Sequence, residues 1–84
     1  MTLSRTQMAS ALGHLQRGDW QAAHGIVQQD EDSPIACWAH GIVHLMEGDL
    51  PNARYWYGQA KRALPVEPDA RAEVAKLAAA LGAT

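Results

Sequence analysis

Apolar residues recur at three- and four-residue spacing in five stretches of the chain, separated by glycine, proline and acidic breaks. No stretch sustains period-two alternation, so the pattern predicts an all-α fold. Thr2 or Ser4 caps a first helix running to about Arg17, with Met8, Ala11, Leu12 and Leu15 on one face. Gly18 stops it, because glycine takes the left-handed conformation that ends many helices. Asp19 then caps a second helix, Trp20 to about Gln29, with a core stripe of Trp20, Ala23 and Val27. Asp30-Glu31-Asp32 reads as a solvated break. Ser33-Pro34 is a start signal, a hydroxyl cap followed by proline at the first helical position. It opens a third helix that runs to Glu47. Gly48 ends that helix and Asp49 caps a fourth, Leu50 to about Leu64, with Leu50, Ala53, Tyr57, Ala60 and Leu64 as its core stripe, Trp56 on the flank and Tyr55 across from it. Pro65-Val66-Glu67-Pro68 breaks the chain again. A fifth helix, about 69–81, presents Ala70, Val74, Leu77 and Leu81 and stops at Gly82.

The third helix has two distinct faces. Cys37, His40, His44 and Glu47 fall at i, i+3, i+7 and i+10, on one continuous side. Ile35, Trp38, Ala39, Ile42, Leu45 and Met46 fall on the other. A helix patterned on both sides is expected to lie centrally, with the histidine face against the fourth helix and Trp38, Ile42 and Leu45 against the first two.

Composition narrows the function classes. The 84 residues make one domain, and 48% are hydrophobic, with alanine in abundance and no phenylalanine. Seven Lys+Arg against nine Asp+Glu leave a formal net charge of −2, which argues against a nucleic-acid partner. No run approaches a membrane span, and residues 1–8 lack the apolar core of a signal peptide. The single cysteine, Cys37, excludes an intramolecular disulfide. Together these lead to an expectation of a cytoplasmic protein with no membrane association.

His14-Leu15, Gly18-Asp19 and Ala23 recur thirty residues later as His44-Leu45, Gly48-Asp49 and Ala53. With Gly41, Gly48-Asp49, Ala53, Tyr57, Ala60 and Pro65 at matching spacing, the second copy resembles the tetratricopeptide repeat; the first copy keeps Ala11, Gly18-Asp19 and Ala23. That resemblance implies two antiparallel helical hairpins, about 4–29 and about 34–64, plus a C-terminal capping helix at about 69–81. Where that family places an aromatic, a leucine and a tyrosine, this chain has Cys37, His40 and His44, and Trp38 falls one residue late. The run from Gly18-Asp19-Trp20 through Ala23-His24, His40, His44, Glu47-Gly48-Asp49, Asn52-Ala53 and Tyr55-Trp56-Tyr57 also resembles a family of small uncharacterised bacterial proteins, a likeness that implies no activity.

Two functional classes follow. The primary expectation is a small protein-protein interaction or self-association module, with a homodimer the expected assembly and Tyr55 and Trp56 as contact residues. Arg54, Lys61 and Arg62 add positive charge along the fourth helix. The alternative is a metal or small-ligand site. His40 and His44 at i, i+4 can share a divalent transition metal, Glu47 one turn on can add an oxygen, and His24 and the Cys37 thiolate are further candidates. Otherwise the imidazoles are core groups bonded to Tyr57, Glu47 or backbone. No glycine-rich phosphate loop, nucleophile elbow or Cys-x-x-Cys is present, so no catalytic residue is assigned and the reading leans away from an enzyme.

Overall fold

The structure is a computed structural model that describes residues 2–82. These residues form five α-helices and no strand: α1 (Arg5–Gln16), α2 (Trp20–Val27), α3 (Pro34–Glu47), α4 (Leu50–Gln59) and α5 (Ala70–Ala80). None is long and apolar enough to cross a membrane.

Local chemistry sets most of the boundaries. Ser4 Oγ accepts from Gln7 N at 3.1 Å, and Gln7 Oε1 accepts from Ser4 N at 2.8 Å, a reciprocal cap on α1. Gly18 and Gly48 take φ of 76° and 87°, and the next residue's amide donates back across the turn in both places. Asp19 N donates to His14 O and Asp49 N to His44 O, each at 2.9 Å. Asp19 Oδ1 then caps Ala22 N, and Asp49 Oδ1 caps Asn52 N, each at 3.2 Å. The two Gly-Asp turns are thus built from the same hydrogen bonds.

α3 packs against each of the other four helices. Every residue from Ala36 to His44 is buried, as the two-faced pattern leads one to expect. Gly41 makes close approach to α4 feasible, because a Cβ there would lie 2.5 Å from Tyr57 Cδ1 and 3.4 Å from Ala53 O.

Several expectations are corrected. The fourth helix ends at Gln59 rather than near Leu64, since Lys61 turns the chain into the left-handed region at φ 57°. The second ends at Val27 rather than Gln29. Leu50 is exposed and lies outside the core stripe. Asp30 is not solvated; it is 1% exposed and receives Leu3 N at 3.0 Å, Ser33 N at 2.9 Å and Asp32 N at 3.1 Å. Ser33 does not cap α3 with its side chain, because its hydroxyl donates to Asp30 instead. Burial alone would raise the Asp30 carboxyl; these donors outweigh it and hold the pKa down at about 2.

Trp38 also departs from expectation. Its indole Nε1 donates toward Glu73 Oε1 of α5 at 3.4 Å, and the Arg62 guanidinium lies over its ring at 3.5 Å from the centroid. Tyr57 OH donates to the same Glu73 oxygen at 2.5 Å, and Lys76 Nζ to Glu73 Oε2 at 3.0 Å. A carboxylate in the α5 stripe, 3% exposed, therefore gathers donors from α3, α4 and its own helix.

Candidate functional site

α2 and α3 bring three imidazoles to one point. His40 and His44 sit one turn apart on α3, and His24, near the end of α2, faces them across the helix contact. Ring centroids lie 4.9 Å apart for His24–His40, 5.5 Å for His24–His44 and 5.2 Å for His40–His44. One ring nitrogen from each lies within 4.8 Å of the other two. Tetrahedral coordination with bonds of about 2.0–2.1 Å requires nitrogens about 3.3 Å apart, so the trio must close by up to about 1.5 Å to hold a metal.

His40 is the innermost of the three, at 3% exposure. Trp56 of α4 stacks on it, centroids 3.9 Å apart and planes within 10°. Its Nδ1 is the buried side-chain nitrogen left without a hydrogen-bond partner among the described residues. Buried donors and acceptors are normally satisfied, so an unpartnered nitrogen on a ring packed against two other imidazoles is an exception that asks for a ligand. Burial, followed by the proximity of His24 and His44, pushes the His40 pKa down to about 4. The ring is neutral at pH 7, the form a metal requires.

His44 is oriented from outside. Glu47 Oε1 accepts from His44 Nδ1 at 2.8 Å. A carboxylate can only accept, so the proton of this bond lies on Nδ1, and in a neutral ring Nε2 is then the nitrogen that carries the lone pair for a ligand. Glu47 and Asp49 both lie within 4.8 Å of a His44 nitrogen, on the more exposed rim of the cluster.

The candidate residues thus divide. His24, His40 and His44 converge. Glu47 reaches the cluster through His44 rather than as an equal member of the trio. Trp56 is a wall of the site, 8% exposed, and not a contact residue on the surface. Tyr55 is exposed, edge-on to Trp56 at 5.0 Å, and outside the cluster. Cys37 does not join: its Sγ donates to Glu31 O at 3.4 Å, and burial, with Asp30, Asp32 and Glu31 nearby, raises its pKa and keeps it a thiol. Nor do the histidines bond Tyr57, whose hydroxyl is committed to Glu73. Asp49 is legible in the sequence only as a helix cap; its place beside His44 follows from the tight Gly48 turn.

No protein-family model, curated protein or solved structure matches the chain.

Proposed function

We propose that the protein is a small helical metal-binding domain in which His24, His40 and His44 hold one divalent cation. The observation that carries this reading is the convergence of three imidazoles from two helices, one of them the buried His40 whose Nδ1 has no hydrogen-bond partner. Three neutral nitrogens suit zinc, copper, nickel or cobalt and not magnesium or calcium, which take oxygen ligands. Glu47 supplies the carboxylate behind a metal-bound histidine that fixes its tautomer and raises its basicity.

Metal titration of the purified protein tests this. The wild type takes up one equivalent of cobalt(II) or zinc(II), and His40→Leu/His44→Leu loses it while keeping its helical circular dichroism. A wild type that binds neither metal overturns the reading.

In the same reading the helices form two antiparallel hairpins, tetratricopeptide-like, with α5 as the cap. The contacts of α1 with α2 and α3 with α4 across like Gly-Asp turns support this. A second function, self-association or protein binding, is favoured by a surface recess of about 360 Å³ whose lining includes Leu3, Met8, Leu12, Ile35 and Leu81, and by the exposed Tyr55. Sedimentation at high micromolar concentration separates the two: a dimer indifferent to His40 and His44 belongs to the second.

A further inference from the structure

A tetrahedral cation needs four donors, and the surroundings of the imidazole trio can be inventoried one by one. His24, His40 and His44 supply three. Glu47 is committed to His44 Nδ1 at 2.8 Å. Asp49 is committed to α4, its Oδ1 accepting from Asn52 N at 3.2 Å and its Oδ2 from Asn52 Nδ2 at 2.8 Å. Cys37 is bonded to Glu31 O, away from the cluster. Trp56 covers a face of His40, but its indole nitrogen is a donor and never a ligand.

From this inventory, and resting on the metal-binding reading above, we infer that the fourth coordination position is filled from solvent and takes a small monodentate anion, hydroxide included. The inner side of the trio is closed by His40 and Trp56, both buried. His24 is partly exposed and the Glu47 side chain is 36% exposed, so the remaining vertex opens toward that rim. Charge points the same way. All three protein donors are neutral, so a bound divalent cation keeps its double charge in the first sphere, in a place where much of its hydration has been stripped away. An uncancelled charge there is costly, and an anion in the open position offsets it. Three histidines with an open position form the donor set that lowers the pKa of bound water toward neutrality.

Cobalt(II) loaded into the full chain makes the open position visible, because its absorption bands report both coordination number and ligand exchange. The wild type is expected to show intense tetrahedral bands that shift saturably as azide is added, at one azide per cobalt. Glu47→Gln is expected to bind cobalt about 10- to 100-fold more weakly, as loss of an outer-sphere partner does, yet to keep the azide shift. Cobalt uptake with bands that ignore azide would overturn this inference alone and leave the metal site standing. So would a Glu47→Gln protein whose cobalt bands before azide already differ in coordination number, since Glu47 would then be the fourth ligand. No cobalt uptake by the wild type would overturn the metal reading and this inference with it.

Discussion

Removing the Glu73 carboxylate should cost more stability than any surface substitution, and the structure says how much and through whom. Glu73 is 3% exposed and is the acceptor for Tyr57 OH at 2.5 Å and for Trp38 Nε1 at 3.4 Å. Glu73→Ala leaves both buried donors unmet, at about 1–3 kcal/mol each, the short Tyr57 bond toward the upper end and the long Trp38 contact toward the lower. Lys76, whose side chain is 58% exposed, returns to water and adds little. The expected loss is about 3–4 kcal/mol. Tyr57→Phe alone withdraws the shortest of the three bonds to the Glu73 carboxylate and should cost about 2 kcal/mol. The double variant should cost no more than Glu73→Ala, because once Tyr57→Phe has removed the hydroxyl no donor at that position needs an acceptor; the coupling is therefore at least about 2 kcal/mol. Urea unfolding at pH 7, followed by circular dichroism, measures all four corners, and an m-value of about 1 kcal/mol/M makes the shifts easy to resolve. Single effects that add to within about 0.5 kcal/mol would refute the argument, since the two side chains would then not be acting on each other. There is also a pH signature. Burial acts to raise the Glu73 pKa, but donation from Tyr57, Lys76 and Trp38 outweighs it and the net shift is downward. A lowered carboxylate pKa gives stability that is present above the unfolded value and lost as pH falls through the folded one. The gap between wild type and Glu73→Ala should accordingly narrow in acid.

Two further outcomes follow from the packing. Gly41→Ala places a Cβ 2.5 Å from Tyr57 Cδ1, and Tyr57 is fixed by Glu73; overpacking of about 1–3 kcal/mol exceeds the gain of about 1 kcal/mol in helix propensity, so the melting temperature should fall, and an unchanged or higher value would mean that α4 yields freely. Asp30→Ala strips the acceptor from Leu3 N, Asp32 N, Ser33 N and the Ser33 hydroxyl; because the Asp30 pKa is held at about 2, wild-type stability should lose a component as pH falls from the ordinary carboxylate value of about 3.9 to about 2, and acid titration of Asp30→Ala should lack it.

What can be read from the chain depends on how local the cause is. Gly18-Asp19 and Gly48-Asp49 mark their turns because glycine conformation and aspartate capping act within a few residues. The burial of α3 is readable from its two-sided pattern. Glu73 is not: it lies in an alanine-rich helix among charged neighbours, and its partner Tyr57 is sixteen residues away. Asp30 looks like part of an acidic loop because one of its donors, Leu3 N, comes from twenty-seven residues away. Trp38 meets a neighbour other than the expected one, since periodicity says that a face is buried but not against what. For the site, i, i+4 spacing is enough to pair His40 with His44. That His24 completes the cluster depends on the packing of α2 on α3, and Trp56 becomes its wall only because small Gly41 and Ala53 let α4 come close.

The position of α3 against all four other helices has a consequence for how the molecule opens. In an array where each unit touches only the next, one end can melt while the other stays folded. Here neither α1 with α2 nor α4 can detach without uncovering a side of α3, whose apolar and imidazole faces are both buried. Partial openings that spare the core are therefore scarce, and the amide hydrogens of α3 should exchange with solvent only through the global transition, while those of the exposed ends of α1 and α5 exchange through local fraying. A cation bound between α2 and α3 would clamp the contact that any such opening must break.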